Sequence, residues 1–186
     1  NGNHLGKRPY GYISFRYDIS KYLKEGKNTI AVRVDNNLEP SARWYHPCGI
    51  YAQVKLIEVN PTHFKPNSIF IKTPSIANKK ANVTIDTEIT NLQKGLEYEV
   101  KIFSPSGNQI NNDCEKLKTT TPFVELEVEN PQLWSPESPN IYKVVTQILD
   151  GKKVIDEIET TFGFKTVKWE TKTGFWLNGE NVKLKG

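Results

Sequence analysis

The chain has 186 residues, of which 37% are hydrophobic and 25% charged, a composition typical of globular rather than disordered protein. The formal net charge is +4 and the basic residues are dispersed, which argues against a nucleic-acid partner. No apolar run approaches the roughly 18 residues that a membrane-spanning helix needs, so no membrane partner is expected.

Polar and apolar residues alternate along the first part of the chain, and this period of two predicts strands. The predicted strands cover 10–17, 29–34 and 50–59, with a short turn at 18–23. Asn60-Pro61-Thr62 is the first predicted domain boundary, because proline removes a backbone donor and keeps its neighbour extended.

The next hundred residues show short predicted strands separated by Gly, Pro, Asn and Ser, at the spacing of a β-sandwich. These strands cover 69–72, 81–90, 98–103, 123–128, 141–149 and 154–162. From Gly163 the pattern changes to two small strands around Trp169 and Trp176. Asn178-Gly179 then predicts a tight hairpin turn.

The loop from Asp35 to Pro47 is the densest candidate for ligand binding. Sugars need planar apolar faces beside polar groups that bond hydroxyls, and this loop carries both. A second interpretation is that Trp44 and Tyr45 are packing residues and Arg43 pairs with a local carboxylate. The residues alone leave both interpretations open.

The carboxylates show no catalytic signature. Glycosidic cleavage needs two carboxyl groups about 5 to 10 Å apart on opposite sides of the bond. Glu125, Glu127 and Glu129 alternate with apolar residues, which predicts a solvated sheet face. Cys48 and Cys114 lack the spacing of a zinc site. We therefore predict no catalytic residue, no metal site and no cofactor.

Six short motifs follow one another along the chain. They are NG…G…GY…F…DIS from Asn1, GKNTIAVRVDN from Gly26, SARWYHPCGIY from Ser41, NPQLWSPESPNIY from Asn130, GFK from Gly163 and FWLNGENVKLKG from Phe175. In this order they resemble glycoside hydrolase family 2, the β-galactosidase and β-glucuronidase superfamily.

The resemblance implies an all-β fold in three parts. Residues 1–60 would be the C-terminal part of a jelly-roll, galactose-binding-like sugar-binding domain, and residues 61–165 an immunoglobulin-like β-sandwich. Residues 166–186 would be the hairpin and strand that lead into a TIM barrel. Because residues 1–60 hold only part of a jelly roll, their sheet is expected to have unpaired edges.

The resemblance also implies a function. Family members of this kind hydrolyse terminal β-glycosidic bonds by a two-carboxylate retaining mechanism. Their catalytic glutamates would lie on the barrel, beyond Gly186, so this chain alone is expected to be inactive. It would be a scaffold and substrate-rim segment of a β-galactosidase-like parent. The candidate rim residues are Asp35, Asn36, Arg43, Trp44 and His46.

The implied partners are a β-galactoside or related carbohydrate, bound by the full enzyme, and the barrel of the parent chain. The sequence leaves open a homo-oligomer, the preferred sugar, and whether the bacterial parent is periplasmic, secreted or cytoplasmic. Two other functions stay open: a free-standing carbohydrate-binding or adhesion module, and a complete small enzyme.

Overall fold

The computed structural model describes residues 1–37 and 49–184, and the chain divides into two compact units, Asn1–Leu56 and Ile57–Gly186. In the described part of the second unit, the strands are β1 (His63–Phe64), β2 (Phe70–Ala77), β3 (Lys80–Asp86), β4 (Ile89–Thr90), β5 (Glu97–Phe103), β6 (Gln109–Lys116), β7 (Phe123–Glu129), β8 (Tyr142–Asp150), β9 (Lys153–Phe162), β10 (Val167–Glu170), β11 (Gly174–Leu177) and β12 (Glu180–Asn181).

The first unit differs from the prediction. Among its described residues the one regular element is a 3₁₀ turn at Ser20–Tyr22, and 10–17, 29–34 and 50–59 form no strand ladder. A strand needs a hydrogen-bonded neighbour, and consecutive strands of a Greek-key or jelly-roll fold need not pair with one another. The period-two pattern therefore did not reveal which segments pair.

In this unit, side-chain amide groups make hydrogen bonds between segments that form no strand ladder. The Asn1 amide nitrogen donates to the Tyr22 carbonyl at 2.9 Å and to Asn28 Oδ1 at 2.7 Å, while the Thr29 amide donates to Asn1 Oδ1 at 3.1 Å. Apolar side chains such as Val54 and Leu56 stay exposed, and no described residue of Asn1–Leu56 is buried. Because the described residues of this unit form no sheet, the expectation of unpaired sheet edges stays a prediction.

The second unit is built on a two-sheet sandwich. One sheet has the order β2-β3-β7 and the other β6-β5-β8-β9, with antiparallel neighbours throughout. Alternate residues of β3, β5, β7 and β8 meet in one apolar core. Three plus four antiparallel strands over about a hundred residues is the immunoglobulin-like arrangement. The predicted stack of antiparallel sheets is confirmed.

Two details of the sandwich differ from the prediction. The β6 strand was missed because its sequence, QINNDCEK, carries Asn and Asp, which disfavour strands. It lies at the sheet edge, where it pairs only with β5 and tolerates polar residues. The segment 81–90 was predicted as one strand, but it breaks at Thr87 and Glu88, where Thr87 turns its hydroxyl into the core towards Tyr98.

The last strands, β10, β11 and β12, form a separate antiparallel meander. Asn178 (φ 52°) and Gly179 (φ 83°) join β11 to β12, so both turn residues are left-handed, as the type I′ hairpin requires. The predicted small strands and tight turn are confirmed. Among the described residues, no helix is long and apolar enough to cross a membrane.

Tyr98 gives the sandwich a pH-dependent stability. Its hydroxyl lies 2.7 Å from the Thr87 hydroxyl in the core, and burial raises the pKa of Tyr98 to about 12. Since this folded pKa exceeds the ordinary value of 10.0, the unfolded state releases the proton first. The stabilisation is therefore complete below pH 10.0 and is lost as the pH rises to about 12.

We expect the free energy of unfolding to fall over this window by about 2 to 3 kcal/mol more in the wild type than in Tyr98→Phe. Urea unfolding at a series of pH values measures this difference. At neutral pH, Tyr98→Phe should lose about 1 to 3 kcal/mol, because the buried Thr87 hydroxyl loses its partner. Equal pH slopes for the two proteins would contradict the account.

Candidate functional site

The predicted substrate rim begins at the end of the IAVRVDN motif in the first unit. Of its five residues, Asp35 and Asn36 belong to the described part of the chain. Arg43, Trp44 and His46 lie outside the described residues. The structure therefore gives the geometry of the start of this loop.

Asp35 opens the loop as a turn residue. One carboxylate oxygen accepts a hydrogen bond from the Arg33 guanidinium at 2.8 Å, and the other accepts one from the Asn37 amide at 3.3 Å. The second bond is an Asx turn, in which an aspartate bonds the backbone two residues on. The Asp35 side chain stays 48% exposed, so its oxygens remain accessible to a ligand.

The carboxylates of β7 lie on a solvated sheet face, as predicted. Glu127 accepts a bond from Lys80 at 2.5 Å and Glu125 one from Asn82 at 3.3 Å, both across the β3–β7 pair. The hydrogen bond that Lys80 donates to Glu127 raises the pKa of Lys80. Glu129 also faces Lys80, at 3.8 Å. Pairing of this kind between neighbouring strands indicates a role in the sheet rather than in catalysis.

A second polar row crosses the outer face of the four-stranded sheet. Lys101 pairs with Glu99 at 2.8 Å and donates to Gln147 at 3.0 Å, and Gln147 in turn donates to Glu157. Gln147 is only 9% exposed. The side-chain oxygen and nitrogen of Gln147 each have a partner in this row, so the row is a cross-strand network.

Two cavities of the described residues are partly open to solvent. One, of about 430 Å³, is lined by the last hairpin from Trp169 to Leu184 and has no carboxylate in its lining. The other, of about 420 Å³, contains Glu127 and Glu129, which lie on the same strand face beside Lys80. Two carboxylates on one side cannot flank a glycosidic bond from opposite sides. Among the described residues, no group of three His, Cys, Asp or Glu side chains could hold a metal.

The structure joins two motifs that sequence analysis had left separate. The Pro-rich loop around Trp134 contacts the hairpin turn at Asn178, 44 residues further on. Both segments were recognised as motifs, but neither carries a local signal for this contact. The one local hint of the contact was Asn178 itself, a polar residue that stands beside Gly179 in a tight turn.

These features define an all-β chain whose second unit is built on an antiparallel two-sheet sandwich. Residues 62–165 match the family described as Glycosyl hydrolases family 2, and the chain belongs to that family.

Curated relatives agree with this assignment over the whole chain. A protein of Formosa agariphila named "Putative beta-glucuronidase" is 73% identical over 186 residues, and the chain spans 18% of its length. Beta-galactosidase BoGH2A of Bacteroides ovatus is 35% identical over 196 residues, and the chain spans 23% of it. This chain is thus similar to about a fifth of much longer proteins.

A solved structure resembles the chain in the same way. The crystal structure of a β-glycosidase from Bacteroides vulgatus matches with a TM-score of 0.90 and 36% sequence identity, over 100% of this chain and 24% of that chain. The chain is therefore similar to about a quarter of that longer glycosidase.

Asp35 is exposed, which allows its structural and binding roles to be separated. We expect Asp35→Ala and Arg33→Ala each to change the free energy of unfolding by less than about 1 kcal/mol, because exposed ion pairs contribute little. Thermal or urea unfolding of the chain measures this. A loss well above that value in Asp35→Ala would show that the carboxylate holds the loop together.

Proposed function

We propose that this chain serves as the scaffold and substrate-rim segment of an exo-acting, retaining β-glycosidase. Residues 1–60 would be part of a sugar-binding jelly roll and 61–165 an immunoglobulin-like spacer. Residues 166–186 would lead into a TIM barrel, whose catalytic carboxylates act at its C-terminal mouth. One observation carries the proposal: Glu127, Glu125 and Glu157 accept hydrogen bonds from Lys80, Asn82 and Gln147 on neighbouring strands, so these carboxylates are engaged in pairing within the sheets.

The substrate rim is the finer part of the proposal. Asp35, Asn36, Arg43, Trp44 and His46 would reach the barrel mouth and bind hydroxyl or carboxylate groups of the sugar. The exposed Asp35 carboxylate, fixed by Arg33 and the Asn37 amide, is suited to accept hydrogen bonds from sugar hydroxyls. A terminal β-glucuronide is the first substrate to test, since the relative with 73% identity bears that name. A β-galactoside is the second.

A segment exchange tests the proposal. The matching segment of the Formosa agariphila relative is replaced by this chain, and hydrolysis of p-nitrophenyl β-glucuronide and β-galactoside is measured. We expect the exchanged enzyme to stay active on one of them, and the isolated chain to hydrolyse neither. In the exchanged enzyme, Asp35→Ala should raise KM about tenfold, the cost of one charged hydrogen bond to substrate.

Asp150→Ala is the matched control, because Asp150 is an exposed aspartate at the end of β8, in the proposed spacer. It should leave KM unchanged. A folded but inactive exchanged enzyme would contradict the proposed role of the segment. An unchanged KM in Asp35→Ala would contradict the rim assignment alone.

A second candidate function is carbohydrate binding by the chain itself. Three exposed tyrosines lie near one another in the first unit: the rings of Tyr10 and Tyr12 are 5.6 Å apart, and the Tyr51 hydroxyl donates to the Gly11 carbonyl at 3.4 Å. Exposed aromatic faces suit the C–H surfaces of sugars. Calorimetric titration with glucuronides and galactosides distinguishes the two functions, because binding tighter than millimolar by the isolated chain would favour the second.

A further inference from the structure

The chain leaving β9 is fixed to the sandwich before it enters the last hairpin. The Trp134 amide donates to the Phe164 carbonyl at 2.7 Å, and Leu133 and Phe164 form a parallel bridge. Phe164 is fully buried, with its ring edge-on to Tyr142 at 4.7 Å. The residues after β9 are therefore anchored through both backbone and side chain.

Trp134 is contacted by the residues before and after Phe164, namely Gly163 and Lys165. A Cβ at Gly163 would lie 2.8 Å from the Trp134 Cβ, so only glycine allows this approach. The Lys165 ammonium lies 4.9 Å from the centroid of the Trp134 ring. These contacts fix the Pro-rich loop against the segment that links the sandwich to β10.

Asn178 connects the hairpin turn to this loop. Its side-chain Oδ1 accepts a hydrogen bond from the Thr166 backbone amide at 3.0 Å, and its backbone amide donates to the Thr166 carbonyl at 2.9 Å. Its side-chain Nδ2 donates to the Trp134 carbonyl at 2.9 Å. The first two bonds close the open end of the β10–β11 hairpin. The third runs from the hairpin to the sandwich.

Asparagine is chemically suited to this position. The residue has φ 52°, which asparagine and glycine tolerate better than other residues. The side chain must also supply an acceptor to Thr166 and a donor to Trp134. Glycine provides neither group, and aspartate provides only the acceptor.

We propose that Asn178 is a positioning residue that locks the β10–β12 sheet onto the sandwich and makes their junction a rigid joint. The joint sets the direction in which the chain continues from the sandwich through the hairpin. This inference rests on the proposed spacer function. A spacer can orient a following domain only if the chain segment that leaves the spacer has a fixed direction.

Distance measurements between spin labels test the joint in the full chain. One label is attached to the exposed Cys114 of β6 and the other to Lys168→Cys of β10, with Cys48→Ser as background. We expect a narrow distance distribution that becomes about twofold wider in Asn178→Gly, which keeps the turn conformation but removes both side-chain bonds. Asn178→Asp, which loses only the donor to Trp134, should widen it as well.

Asn181→Gly is the matched control. Asn181 also donates to backbone carbonyls, those of Thr173 and Phe175, but both lie within the hairpin. Its loss should leave the width unchanged, and all variants should keep the melting temperature of the sandwich. Equal widths in the wild type and both Asn178 variants would overturn the proposal, as would equal broadening by Asn181→Gly. The result is independent of enzymatic activity, so a failed segment exchange leaves it interpretable.

Discussion

The alternation of inward and outward residues on β3, β5 and β7 is the constraint on which the rest of the structure depends. Val83, Val100 and Val144 are fully buried between the two sheets, and their sequence neighbours point away from the core. A shift of one residue in any ladder would place a charged side chain in the core. The register therefore fixes the outer faces as firmly as it fixes the inner ones.

This constraint determines where the carboxylates lie. With Val124 and Val128 inward, Glu125, Glu127 and Glu129 must face solvent on the opposite side of β7. There they meet cations and amides of the neighbouring strand at distances that suit exposed pairing. Exposed pairs of this kind contribute roughly 0 to 1 kcal/mol each, so their effect on stability is small. The polar faces of the sandwich are thus occupied by pairs between neighbouring strands.

The sequence predicts those parts of the fold whose signals are local. Alternation identified β5, β8 and β9 because both packing and propensity favour strands there, and the pair Asn178-Gly179 identified the hairpin turn. The polar β6 was not predictable from propensity, because its position at a sheet edge relaxes the requirement for apolar residues. The strands predicted in the first unit are absent from its described residues for a different reason: its segments have the composition of strands, but composition does not reveal which segment pairs with which.

The candidate site shows the same limit. Asp35 was singled out from its motif, and its bond to the Asn37 amide follows from short-range Asx-turn chemistry. The Asn178–Trp134 contact joins residues 44 positions apart and depends on how the sandwich presents its loop. No pattern in one sequence encodes that proximity. All five rim residues, Asp35, Asn36, Arg43, Trp44 and His46, stay predictions.

The proposed scaffold role implies that no carboxylate of the described residues, 1–37 and 49–184, acts as a glycosidase nucleophile. The most direct test is treatment of the folded chain with a mechanism-based aziridine inactivator of retaining β-glycosidases, followed by intact-mass spectrometry. A complete retaining enzyme, treated in parallel, gains the mass of one inactivator on its nucleophile. The account predicts an unchanged mass for this chain. A stoichiometric adduct on a single Asp or Glu, abolished by competing substrate, would contradict it.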